Sequence, residues 1–382
     1  MSNFIDFLLS GSILLLAFLA LTNPNKVNIK GNLWFGLFLL CIFSATLESF
    51  FYENNDSFKN NLLINIIGLP AYFLAPIFYL SILHYIKPNL VWDKKHNLHF
   101  LSGIIFSVLV ILLLINFKNS ENIQSSNKSL IELYQYISYF FLGIFPFQLI
   151  IYSFLTYKKL KNHQKNIKIF SSNTENIDLK WLENIVIIIC LLLFIWILDI
   201  VFNISTAKFQ LINSFLLIGI YFIAYHFIKQ KEIYPFSKIE QNEIIEIIEE
   251  FDVIDVKKKL IDDDKLESQK IDLLNLIQSK KPYLDSEISL IKLASEMNCT
   301  PHQLSYIINN GFDENFYQFI NRFRIEEAKK LILNPNMNHL SLLGIGFEVG
   351  FNSKSVFNTT FKKNTGKTPS EFKKITQNIE FQ

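Results

Sequence analysis

The chain has 382 residues, of which half are hydrophobic and only 18% charged, with a formal net charge of +2. This balance argues against a wholly soluble chain, and the apolar residues, including most of the 38 phenylalanines, gather in blocks before residue 230. Charge divides the chain into three: residues 1–229 hold 16 Lys against 11 acids, 230–279 hold 7 Lys against 13 acids, and 280–382 hold 13 basic residues against 10 acids. Cys41, Cys190 and Cys299 have no CxxC spacing and no histidine cluster, so neither a disulfide framework nor a metal site is expected.

Seven apolar stretches, at about 7–22, 33–47, 62–86, 98–117, 133–157, 184–203 and 209–228, predict seven membrane spans. Each is near the ~20 residues that a helix rising ~1.5 Å per residue needs to cross a bilayer. The first block has no basic residue before it and no small-residue cleavage site after it, so it reads as a retained span. Loops one, three and five carry 11 Lys and the alternate loops 4, which predicts an outside N-terminus and a cytoplasmic C-terminus.

With that orientation Asp6, Glu48, Glu132, Asp199, Asn203 and Asn213 fall at or near the outer span ends, and His84 and His226 at the inner ends. Glu48, Glu132, Asp199, Asn203 and Asn213 are therefore candidates for an outward-facing signal pocket, while the alternative is that they simply reach the headgroups. Pro70, Pro76 and Pro146 predict kinks in the third and fifth spans. No HExxH, paired-histidine or GxSxG pattern occurs in these spans, so no catalytic residue, metal or cofactor is assigned.

Residues 230–281 form an acidic linker with Ile244, Ile248 and Phe251 at helical spacing, predicting one or two amphipathic helices broken near Asp262, Asp263 and Asp264. Its apolar stripe needs a partner, either a second copy in a homodimer stalk or the domain that follows. Its net acidity excludes it as a nucleic-acid contact.

Beyond residue 282 short helices with clear caps alternate with turns. In the first pair, Leu290, Leu293, Ala294 and Met297 face inward, and Thr300, Pro301 and Gln303 form a capping-box start for the next helix. Leu304, Ile307 and Ile308 face inward from that helix, leaving His302, Gln303, Ser305, Tyr306 and Asn309 outward. In the second pair, Phe357 and Phe361 anchor the second helix, with Lys354, Ser355, Asn358, Thr359 and Lys362 on the opposite side. Such polar residues can bond base edges or phosphates. A helix of about 19 residues, NFYQFINRFRIEEAKKLIL, joins the pairs and holds the only arginines, Arg322 and Arg324. Arg324 is assigned to pairing or packing. The closing TGKTPSEF predicts a final helix capped by Thr368 and Glu371, with Phe372 closing the core.

The ordered pattern LAxxMNxTPHQLSxxIN, NFYxFINxxRxxEAKxL and FEVGFNSKSxFNxxFKKxTGxTPSEF, over roughly 282–374, resembles the AraC/XylS class of bacterial transcription regulators. The resemblance implies DNA binding through two helix-turn-helix units joined by a helix. It nominates His302, Ser305 and Tyr306 in the first unit and Lys354, Ser355, Asn358 and Thr359 in the second. Gly346 stands where Ala is usual, and Thr359 where a basic residue often stands.

The expected architecture is therefore all-α: a seven-helix transmembrane sensor at 1–229, a helical linker at 230–281, and a cytoplasmic two-unit domain at 282–382. The expected role is a non-enzymatic, multi-pass regulator in a bacterial inner membrane, whose partners are double-stranded promoter DNA, the lipid bilayer, a second copy through the linker, and an unknown signal ligand. The alternative is a receptor or transporter-like bundle whose tail docks a cytoplasmic protein.

Overall fold

The structure, a computed structural model, describes residues 2–54, 62–121, 128–175, 177–202, 209–252 and 262–380. The chain divides into two compact units: residues 1–161 with 179–233, and residues 162–178 with 234–382. The helices of the first unit are α1 (Ser2–Thr22), α2 (Ile29–Asn54), α3 (Leu62–Gly68), α4 (Leu74–Ile86), α5 (Lys94–Asn97), α6 (Leu101–Glu121), α7 (Lys128–Asn166), α8 (Lys180–Phe202) and α9 (Phe209–Lys229). The last turn of α7 already belongs to the second unit.

Helix α2 packs on α1 and α4, and α1 packs on α9. Phe35, Phe38 and Phe78 fill the space between them, while Phe7, Leu15, Phe18, Phe154, Phe194 and Phe215 stay exposed. Large apolar side chains left outward on long helices mark a surface that is stable against lipid rather than water. A polar knot ties the ends of these helices: Tyr85 donates to Asn32 Oδ1 (2.5 Å), and Asn32 Nδ2 donates to Asn23 Oδ1 (3.1 Å). Trp181 Nε1 donates to Gln230 Oε1 (2.7 Å), and Asn28 bonds the backbone at Lys231 and Ile233.

The expected seven-helix bundle is corrected here. Among the described residues four helices are long and apolar enough to cross a membrane: Phe4–Thr22, Ile29–Phe51, Leu63–Ile86 and Lys94–Leu112. Asn213–Lys229 is apolar but shorter; the expected spans 133–157 and 184–203 fall on α7 and α8, and part of their side chains lies outside the described residues. At Pro70 the third span breaks rather than bends: α3 ends at Gly68, a 3-10 turn covers Leu69–Phe73, and α4 resumes at Leu74. Proline has no N–H to donate, so the first turn of a helical segment is where it fits.

Among the pocket candidates, Glu48 lies against the backbone of Gly68, and Asn213 Nδ2 donates to Asp6 Oδ1 (2.8 Å). Asn203 and the side chains of Glu132 and Asp199 lie outside the described residues.

The second unit contains α10 (Lys238–Asp252), α11 (Asp263–Lys280), α12 (Leu290–Glu296), α13 (Pro301–Phe312), α14 (Phe316–Leu333), α15 (Leu342–Glu348), α16 (Lys354–Thr365) and α17 (Pro369–Glu380). Helix α11 begins after Asp262, where the acidic triplet was expected to break the linker. Of the linker stripe, Ile244 and Ile248 are buried within this unit, and α10 and α11 both pack on α13; the side chain of Phe251 lies outside the described residues. The following domain is thus the partner of that stripe.

Helix α14 runs through the middle of the unit and packs on α13, α15, α16 and α17. Ile325, Ala328, Ile332, Ile345, Val349, Phe351, Phe357 and Phe361 form one buried cluster, with Phe372 of α17 against it. Local caps fix where the helices start. Thr300 and Gln303 exchange reciprocal bonds at the head of α13, and Thr368 and Glu371 do so at the head of α17.

The turn between α15 and α16 needs a glycine. Gly350 has φ +93, and a Cβ there would meet the Tyr283 carbonyl at 2.7 Å and Arg324 Nε at 2.9 Å. Gly350→Ala should destabilise the second unit by about 1–3 kcal/mol, the usual cost of forcing a side chain into that backbone region. Hydrogen exchange of peptides from α14 to α16 in the full-length chain measures it, the expected result being faster exchange there and no change in α1 or α2.

Candidate nucleic-acid interface

Helices α15 and α16 cross through a five-residue connection, Val349 to Ser353, and their packing follows from Phe357 and Phe361 lying four residues apart. Ser353 caps α16, its Oγ accepting from Val356 N (3.3 Å). With Phe357, Thr360 and Phe361 buried, the opposite side of the helix is open: Lys354, Ser355, Thr359 and Lys362 are exposed and Asn358 is half-buried. Lys363 extends the basic end. The face combines an amide, hydroxyls and ammonium groups on one side of a two-turn span, which suits base edges and phosphates.

The residues expected to read DNA from α13 are placed differently. Ser305 is 3% exposed, and its carbonyl and Oγ both accept from Asn309 Nδ2 (2.6 and 3.3 Å). Gln303 spends its side chain on the cap, accepting from Thr300 N (3.0 Å). His302 and Tyr306 are half-buried. Helices α10, α11, α12 and α14 all pack on α13, so its surroundings are largely protein.

Behind the open helix stands Arg324, 1% exposed. It donates to five neutral oxygens: Tyr283 O (2.7 Å), Asp285 O (2.8 Å), Ser172 Oγ (3.1 Å), Ser172 O (3.4 Å) and Asn321 Oδ1 (3.3 Å). Its guanidinium also lies over the Phe351 ring at 5.6 Å. Burial pushes its pKa down to about 10, which leaves it cationic at neutral pH. Arg322 is instead half-exposed and grips Glu314 through Nε and Nη2 at 2.9–3.1 Å, resting on Phe323 at 4.6 Å. Both arginines therefore serve the fold.

Ser172 belongs to segment 162–178, which runs from the last turn of α7 towards α8. Its Phe170 is buried, stacked on Tyr234 (5.4 Å), and the Phe170 carbonyl accepts from Leu290 N (2.9 Å). Ser172 Oγ donates to Ile288 O (2.8 Å), and Ser171 and Ser289 form an isolated antiparallel bridge. At its base His163, 2% exposed, pairs through Nε2 with Ile177 O (2.8 Å). The available signal was the apolar group Ile167, Ile169 and Phe170 inside a lysine-rich loop; all three are buried.

Residues 293–375 match a family model described as a helix-turn-helix domain. An uncharacterised HTH-type transcriptional regulator in the cgkA 5' region of Pseudoalteromonas carrageenovora is 43% identical over 51 residues, 13% of this chain and 28% of that protein. The chain thus matches less than a third of that relative's length. No solved structure matches. The similarity supports a C-terminal helix-turn-helix domain of the transcriptional-regulator kind. It corrects two expectations: one helix-turn-helix region stands in place of two units, and the AraC/XylS-type domain joined to seven spans gives way to a helix-turn-helix domain in a chain with four candidate spans. The covered surface of α13 is the physical reason that the first pair was misread. Among the described residues no group of three or more His, Cys, Asp or Glu could hold a metal ion.

Two outcomes are expected. Burial holds the His163 pKa down at about 4, below its unfolded value of about 6.5, so the native unit keeps the imidazole neutral. Its contribution is complete above about pH 6.5 and is lost as pH falls towards 4, on the order of 3 kcal/mol in all. Hydrogen exchange of 162–178 should accelerate across that window in the wild-type chain, and His163→Gln should flatten the dependence. Arg324→Lys, which cannot reproduce the planar fork, should cost about 2–3 kcal/mol, measured as lost exchange protection shared by 168–174, 282–290 and α14.

Proposed function

We propose that the chain is a membrane-held, one-component transcription regulator: its helix-turn-helix region binds double-stranded promoter DNA, and its apolar helices hold it in the cytoplasmic membrane of a bacterium. The observation that carries this reading is the open polar face of α16 within the region matched as a helix-turn-helix domain. In such a domain the second helix enters the major groove with its N-terminal residues nearest the bases. Lys354, Ser355 and Asn358 are then the base-reading group, Thr359 stands beside them, and Lys362 takes a backbone phosphate.

The match of residues 293–375 to a helix-turn-helix domain supports a cytoplasmic position for the DNA-binding unit, the side on which a bacterium keeps its DNA. The compactness of the second unit supports the same side independently. Residues 162–178 fold together with 234–382, and a bilayer cannot pass between segments that share a core. A signal would enter through the first unit, where Glu48 and the Asp6–Asn213 pair are among the polar groups on the apolar helices.

Lys354→Ala with Asn358→Ala should weaken binding of the full-length chain to the DNA upstream of its own gene by about 1–3 kcal/mol per good base contact. Lys362→Ala should weaken specific and non-specific duplexes alike and lower the salt slope by about one. Fluorescence polarisation in detergent micelles checks both, and unchanged affinity in the double variant would remove α16 as the reading helix.

A further inference from the structure

The segment 162–178 reaches the head of the proposed reading helix. Ser353, the cap residue of α16, donates its hydroxyl proton to the Glu175 carboxylate at Oε1 in a short hydrogen bond. The same Ser353 Oγ lies 3.2 Å from Ser355 Oγ. The carboxylate is therefore seated where the first turn of α16 exposes its unpaired N–H groups and carries a partial positive charge. In a helix-turn-helix complex this end of the helix points into the groove, and anions bound there are phosphates.

The carboxylate is held there by its own segment. Three residues before it, Ser172 is fixed by Arg324 and by the Ile288 carbonyl. Between them Ser171 Oγ donates to Asn173 O (2.7 Å), and Asn173 Oδ1 accepts from Glu175 N (3.1 Å), which sets the direction in which Glu175 leaves the turn. Lys168 lies over the Tyr317 ring of α14 at 5.8 Å. Both ends of the segment continue into helices of the first unit, α7 up to Lys161 and α8 from Leu179.

From these contacts we infer that segment 162–178 is an autoinhibitory strap, in which Glu175 occupies the DNA-facing end of α16 and must leave before that end can engage DNA. The inference rests on the reading of α16 as the DNA-binding helix. Movement of α7 against α8 pulls on both ends of the strap, so a signal received by the apolar helices reaches the reading surface without an additional domain. The strap acts by charge and by occupancy: an anion at the helix head repels the phosphates within a Debye length of ~8 Å at physiological salt, and its bond to Ser353 takes the cap hydroxyl.

The test uses the full-length chain in detergent micelles and a fluorescent duplex of arbitrary sequence, about three helical turns long. Glu175→Gln should bind roughly three- to tenfold tighter than wild type at low salt, the gain shrinking as salt rises. Asp313→Asn, which removes the same charge from an exposed helix end elsewhere in the unit, should leave affinity unchanged. Hydrogen exchange of α16 verifies that both variants stay folded. Equal affinity of Glu175→Gln and wild type would overturn the strap while leaving the DNA reading intact. Equal gains in Glu175→Gln and Asp313→Asn would also overturn it, since net charge alone would then explain the effect. Failure of wild type and all variants to bind the duplex at low salt would instead sink the DNA-binding reading, and the strap with it.

Discussion

The second unit is organised around one buried cation. A guanidinium removed from water loses several kcal/mol of hydration, and the structure must return that through hydrogen bonds of good geometry. Arg324 obtains them from neutral oxygens on three separate stretches of chain: the 283–285 turn, Ser172, and Asn321 on its own helix. Each stretch is thereby held in position relative to α14. Gly350 completes the arrangement, because only a residue without Cβ lets the α15–α16 turn pass over Arg324 Nε and the Tyr283 carbonyl. The orientation of α16 therefore descends from a polar centre as well as from the phenylalanine cluster beneath it.

The first unit presents a different kind of surface. Its buried phenylalanines sit between α1, α2 and α4, yet comparable side chains point outward along α1, α7, α8 and α9. In water such a surface would be unstable; against lipid tails it costs nothing, and the determining requirement becomes internal satisfaction of the backbone. The 3-10 turn at Leu69–Phe73 meets that requirement around Pro70. The asparagine, tyrosine and tryptophan bonds near Asn32 and Gln230 join helix ends through side chains, where polar groups remain affordable.

Much of the local architecture was legible in the sequence. The capping boxes at Thr300 and Thr368, the helix between the two pairs, and the inward placement of Phe357 and Phe361 depend on neighbours within four residues, and all are present. The open side of α16 follows from that spacing, since little else packs on it. Helix α13 has a similar polar pattern and a different outcome. Ser305 is buried on a helix against which α10, α11, α12 and α14 all pack, and periodicity has no term for which distant helix arrives. The count of membrane spans also differs from the seven apolar stretches: among the described residues four helices are long and apolar enough to cross a membrane.

By itself the sequence determined the all-helical character, the division between apolar and polar halves, the helix starts, and the polar side of α16, because each is set by composition or by contacts within one or two turns. Only the tertiary structure decided that residues 162–178 belong with the C-terminal unit, that Arg324 is its buried centre, and that Glu175 rests on the head of α16. Those pairings join residues more than a hundred positions apart, where the governing energies are burial and hydrogen bonding between segments and no local pattern records them.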